Sequence, residues 1–269
     1  MNRKLRTVLI AVLSVIFAVS AYMVISYVIQ YQKGKKNYEQ ARALVRISSS
    51  SSGTGSTPSA SFSISPAAPY ESTMKTLSGM DITALQRVND DIVGWIEIPG
   101  TAVSYPLLKG TDNQYYLTHT WNKSVLSVGA IFLESKCSRS LIDFNSIIYG
   151  HNMKNGSMFA AIRSYSSKDF WSAHQNVYIV DETGVRRYEV FSAYQVSASG
   201  KAYQIGFQDD TAKQDFISFC THQTSYKTGV TPSVNDKILT LSTCIGSDNS
   251  VRWVVQGVLR GTAERSYTP

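Results

Sequence analysis

A single break in hydrophobic pattern divides this chain. Residues 8–28 carry no charge over 21 positions, enough for a helix to cross a bilayer, and Arg3, Lys4 and Arg6 precede them. The apolar run continues seven residues beyond the small-residue site at 19–21, which favours an uncleaved anchor over a cleaved signal peptide. Residues 32–47 are charged and can continue the helix. Residues 48–61 are almost wholly Ser, Gly, Thr, Pro and Ala, a composition with too little apolar surface to order itself, so 48 to about 70 is expected to be a flexible tether. Beyond it a helix is expected over 81–90, with Asp81 as N-cap and Ile82, Leu85 and Val88 on one face. Alternating or wholly apolar runs then predict strands over 92–98, 103–107, 129–133, 145–149, 177–180, 187–196, 237–243 and 252–259. Helical insertions are expected over 157–165, capped by Ser157, and over 209–222, where Phe216, Phe219 and Cys220 form a core-facing stripe. Short strands separated by turn-rich segments indicate a mainly β domain, a barrel or a sandwich.

With 269 residues, 43% of them hydrophobic, one sizeable core is affordable and two domains are not required. The net charge of +7 is scattered, and its clearest cluster, Lys33, Lys35 and Lys36, flanks the apolar run. A basic belt beside anionic lipid accounts for it, and nucleic acid is not implied. Three cysteines, Cys137, Cys220 and Cys244, cannot all pair, and their spacing fits no zinc or disulfide framework. No histidine pair has metal-ligand spacing and no glycine loop has a phosphate-binding pattern, so no metal and no cofactor is expected.

The candidate chemistry lies at strand ends. Cys244 closes the run KILTLST at 237–243, Arg252 opens the run RWVVQGVLR, and His151 follows the run NSIIY at 145–149. A thiolate can attack a carbonyl, an imidazole can protonate a departing amine, and a guanidinium can stabilise the oxyanion. Taken singly, each has an ordinary reading as a buried thiol, a turn residue and a solvated strand end. His119, His174 and His222 are weaker acid/base candidates. By the two-residue period, Ser242 and Cys244 share a face, so Ser242 can contact a substrate or bond to a neighbouring strand.

The TLSTC segment at 240–244, the YGHNM segment at 149–153 and the Cys-x7-Arg spacing to Arg252, in that order, resemble the class B sortases. VGWIEIPGT at 93–101, Tyr105-Pro106 and DNQYYL at 112–117 are similar to the amino-terminal part of that domain, so the resemblance covers about 77–261. It implies an eight-stranded sortase-type β-barrel with an N-terminal helix and helical insertions, preceded by one transmembrane helix. The expected division is 1–6 cytoplasmic tail, 7–30 signal-anchor helix, 31–75 extracellular tether, 76–262 catalytic domain and 263–269 C-terminal tail. By the same resemblance the chain is a membrane-anchored enzyme, single-pass, with its catalytic domain outside a Gram-positive cell. Cys244 would cleave a C-terminal sorting signal after threonine through a thioacyl-enzyme, His151 would move the proton, and Arg252 would hold the oxyanion or the substrate backbone. The partners would be surface proteins bearing that signal and an amine of a peptidoglycan precursor or a pilin. Asn113, Leu117, Tyr149, Ser242 and Tyr226 would contact substrate; for Leu117 and Tyr149 barrel packing is the alternative. Family members often carry an acidic residue soon after the nucleophile, whereas here the first carboxylate is Asp248, and no catalytic acid is assigned. Two further readings stay open: an endopeptidase using water as acceptor, and a tethered wall-binding module without chemistry. Residues 1 to about 70 are expected to anchor the chain and to be dispensable for chemistry.

Overall fold

The computed structural model describes residues 3–47, 69–245 and 248–266, and gives only the backbone path for Leu5, Val8, Arg46, Ile47, Cys244, Ile245, Asp248 and Asn249. The Ser-rich segment at 48–68, expected to be the tether, lies outside the described residues.

One helix, α1 (Arg3–Leu44), holds the whole apolar run, with side chains such as Phe17 and Tyr22 left exposed for a bilayer to cover. The charged segment that follows the apolar run is helical, as its composition allows. The helix continues to Leu44, and its last turns bury Gly34, Asn37, Tyr38 and Ala41 against the folded domain. Positions 34, 38 and 41 recur at helical spacing, so a narrow stripe of small and aromatic residues within a charged segment is enough to dock it. The backbone of Arg46–Ile47 then pairs antiparallel with Met80–Asp81, and α2 (Tyr70–Ser78) occupies a stretch expected to be mostly tether.

The expected helix over 81–90 shortens to α3 (Thr83–Val88), because Asp81 is held in that pairing while its Oδ1 accepts from the Thr83 amide at 2.9 Å. The helix expected over 157–165 is displaced. Ser157 donates to Asn155 Oδ1 through its amide and its hydroxyl, and Met158 turns left-handed at φ 56°, so a 3-10 turn begins only at Ala160. The α-helix that follows, α4 (Lys168–Ala173), is capped by Ser167, whose Oγ accepts from the Phe170 amide. The last, α5 (Asp210–Gln223), starts where the sequence places it, with Asp209 accepting from the Ala212 amide.

Eight strands close into a barrel: β1 (Ile92–Glu97), β2 (Ser104–Leu108), β3 (Ile131–Leu133), β4 (Asn145–Tyr149), β5 (Asn176–Val180), β6 (Gly184–Ser197), β7 (Ile238–Ile245) and β8 (Asp248–Glu264), in the spatial order β8-β6-β5-β1-β2-β3-β4-β7. The long β6 and β8 run past their expected ends and pair with each other along most of their length. The barrel interior is packed with apolar side chains including Leu107, Ile131, Ile148, Leu239, Leu241 and Val255. A second cluster, Phe191, Phe216, Ile217, Cys220, Ile238 and Val258, lies under α5. Closure removes every long sheet edge except the two ends of the barrel, where chemistry can be placed.

Candidate active site

Two strand pairings bring the proposed catalytic residues to one rim. The β4–β7 pair is parallel, with Tyr149 opposite Ser242, so both strands leave the barrel at the same end. The Gly150 amide continues that ladder by donating to Ser242 O at 3.1 Å. Carried on from the Tyr149–Ser242 match, this register sets His151 level with Cys244. The β7–β8 pair is antiparallel and places Arg252 directly opposite Cys244 along the backbone. The backbone positions of His151, Cys244 and Arg252 thus meet because one seam is parallel and the next is a hairpin.

His151 is half-buried, and its Nε2 donates to Leu117 O at 2.7 Å. A carbonyl can only accept, so this bond fixes the proton on Nε2 and leaves Nδ1 as the nitrogen able to exchange a proton. Leu117 contributes this backbone oxygen, while its side chain stays 40% exposed. Arg252 is half-buried, and its Nη1 donates to Val251 O at 3.4 Å.

Tyr149 and Asn113 converge on a carboxylate that sequence reasoning missed. Glu134 Oε2 accepts from Tyr149 Oη at 2.9 Å and from Asn113 Nδ2 at 2.6 Å, while Oε1 accepts from Ser135 Oγ and the Lys136 amide. Burial alone would push the Glu134 carboxyl up, but the bonds from Asn113, the Lys136 amide, Tyr149 and Ser135 outweigh it and hold it below its ordinary range. The available signal was a carboxylate directly after the buried strand IFL, a position that demands partners. Asn113 Oδ1 also accepts from the Ser135 amide at 2.8 Å, which ties the DNQYYL loop to the end of β3.

Ser242 is buried, and its hydroxyl pairs with Tyr203 Oη at 2.8 Å; the Tyr203 ring stacks on Tyr149 at 6.3 Å. Its partner therefore comes from the connection after β6 and not from a neighbouring strand. Tyr226 stands apart from these groups: its hydroxyl donates to Tyr165 O at 2.7 Å, its ring packs on Trp171, and burial pushes its phenol up to about 12. The other histidines bond to backbone carbonyls of their own, His119 to Tyr115 O, His174 to Pro99 O and His222 to Ser218 O. Cys137 and Cys220 are free and buried, and burial pushes both thiols up to about 11.

The Sortase domain family matches residues 96–260. A sortase B of Listeria monocytogenes is 38% identical over 183 residues, which span 66% of this chain and 74% of that relative. The chain belongs to the sortase family, class B. Among solved structures, the Staphylococcus aureus sortase B–substrate complex superimposes with a TM-score of 0.64 at 28% identity, covering 67% of this chain and 85% of that one. A sortase B from B. anthracis in complex with AAEK1 reaches 0.68 at 26% identity, over 86% of this chain and 98% of that one. Family membership supports a cysteine transpeptidase role for this sortase, and α1 is a candidate single membrane span.

Proposed function

We propose that this sortase is a membrane-anchored transpeptidase that cleaves a C-terminal sorting signal after threonine and joins the released carboxyl end to an amine of the cell wall or of a pilin. Its catalytic domain lies outside the cell. The observation that carries this reading is the parallel β4–β7 seam, which brings the His151 end of β4 to the Cys244 end of β7, opposite Arg252.

In the first half-reaction the Cys244 thiolate adds to the carbonyl carbon after the threonine, and Arg252 donates to the oxygen as it gains charge. The carbon–nitrogen bond breaks, the departing amine takes a proton from His151, and a thioester remains. In the second, an incoming amine gives its proton back to His151 as it attacks that thioester, and the thiolate leaves. The proton crosses at Nδ1, since Nε2 is engaged with Leu117 O. In this reading Tyr149 and Asn113, joined through Glu134, and the exposed Leu117 side chain contact the bound peptide beside His151. Ser242 supports Tyr149 through Tyr203, whose ring stacks on it, and Tyr226, apart from these groups, is proposed as a substrate contact on the family resemblance alone.

The test incubates the full-length protein in detergent micelles with a library of sorting-signal peptides, with and without a short amine, and reads products by mass. Cleavage after threonine with amine-dependent joined product is expected. Cleavage unaffected by amine would make it an endopeptidase that uses water, and an inert protein would leave a wall-binding module.

A further inference from the structure

The juxtamembrane end of α1 reaches the imidazole through a short, continuous set of contacts. Tyr38, 3% exposed, donates its hydroxyl to Gly129 O at 2.6 Å. Gly129 is left-handed at φ 56°, and a Cβ there would stand 2.7 Å from Leu117 O and Tyr116 O and 3.0 Å from His151 Cδ2. The glycine is therefore wedged between the Leu117 carbonyl and the ring that this carbonyl orients. From Tyr38 to His151 the path is one hydrogen bond, one glycine in close contact, and one further hydrogen bond of 2.7 Å from His151 to Leu117 O.

Neighbouring residues of α1 hold Tyr38 in register. Gly34 lets the helix approach so closely that a Cβ would be 3.2 Å from Val128 Cγ1, next to Gly129. Asn37 O accepts from Trp121 Nε1 at 3.0 Å, and Arg42 donates to Ser104 O at 3.1 Å while covering the Tyr105 ring. Tyr105 in turn accepts from the Met158 amide, whose residue bridges to Asn152 beside His151. Two turns nearer the apolar run, the Tyr31 hydroxyl faces the backbone of Lys154 and Asn155 in the same loop. Both segments that flank the imidazole, 117–129 and 152–158, thus rest on the helix that enters the membrane.

We propose that the end of α1 is a positioning element for His151 and that Tyr38 is the positioning residue which transmits it. This rests on the reading of His151 as the proton-transfer group. The membrane helix and the active site then form one piece, so the height of the rim above the bilayer is set by docked helix. The segment at 48–68 links two points that both lie on the domain, the Arg46–Ile47 pairing and α2, and does not set that height.

The decisive variant is Tyr38→Phe, which keeps the ring and removes only the hydroxyl. In full-length protein in micelles, kcat for a sorting peptide is expected to fall about tenfold with KM within about twofold, because a small misplacement of a catalytic group costs rate more than binding. The 15N signals of His151, which report where the ring proton sits and need no substrate, are expected to shift. The thermal midpoint should move by only a few degrees, as for one lost hydrogen bond. Wild-type kcat with unchanged His151 signals, or a kcat loss no larger than the unfolded fraction, overturns the proposal. His151→Ala measured in parallel separates the two ideas: its loss of turnover beside an unaffected Tyr38→Phe refutes the positioning role alone, and full activity in His151→Ala refutes the site assignment and the proposal with it.

Discussion

Glu97, at the end of β1, offers a measurable test of how this barrel handles a buried charge. Its side chain is 3% exposed, with Trp95 Nε1 at 3.4 Å from Oε2 and the Ser104 hydroxyl nearby. Burial raises the carboxyl from 4.5 to about 7, against smaller lowering effects from Ser104, Trp95 and the Arg42 charge. Between those two values the folded protein keeps a proton that the unfolded chain has released. Stability contributed at this site is therefore present below about pH 4.5 and is lost as pH rises towards 7. At about 1.4 kcal/mol per pH unit, a displacement from 4.5 to about 7 amounts to about 3 kcal/mol. Glu97→Gln cannot ionise, so it should remove this loss. Urea unfolding of wild type and variant is to be compared from pH 4.5 to 8, reading only the difference between the two curves, since other groups titrate in both. The variant is expected to match the wild type within about 1 kcal/mol at pH 4.5 and to exceed it by about 2–3 kcal/mol at pH 8. A constant difference across that range, or a variant that is less stable at pH 8, would refute a raised Glu97 pKa.

Two further outcomes bear on the chemistry. With Cys137 and Cys220 buried and pushed up to about 11, native protein at pH 8 should lose one thiol rapidly to iodoacetamide, and Cys244→Ala should lose none on that timescale and turn over no peptide. Cys137→Ala and Cys220→Ala should keep turnover and cost about 1 kcal/mol of stability as small cavities; a Cys244→Ala protein that still cleaves would end the thioacyl mechanism. Arg252→Lys should lower kcat/KM by about tenfold or more, since an ammonium lacks the planar fork that directs donors to an oxyanion; near wild-type kinetics in the lysine variant would leave Arg252 no specific role.

What the linear chain decided by itself is what depends on local pattern. The uncharged run at 8–28 had to be a bilayer-length helix, because nothing in it can face water comfortably, and the two-residue alternation at 237–243 and after Arg252 had to be strands. The helix over 209–222 could be read from the helical spacing of Phe216, Phe219 and Cys220, and Cys244, His151 and Arg252 could be picked out as strand-end groups next to distinctive short motifs. Local pattern could not decide Ser157, whose amide and hydroxyl turned to Asn155 instead of starting a helix. Nor could it decide the destination of Asn113 and Tyr149, because Glu134, the carboxylate they share, follows a different strand and becomes their neighbour only when β3 and β4 pair. The largest difference is α1. Within the charged segment after the membrane run, a stripe of Gly34, Tyr38 and Ala41 is too narrow to stand out as amphipathic, and its meaning appears only against Val128 and Gly129. Secondary structure is written in residues three or four apart, and so was legible. The candidate active-site rim depends on a parallel seam between strands nearly a hundred residues apart, and the last turns of α1 find their partners only in the folded domain, so those contacts exist only once the barrel has closed.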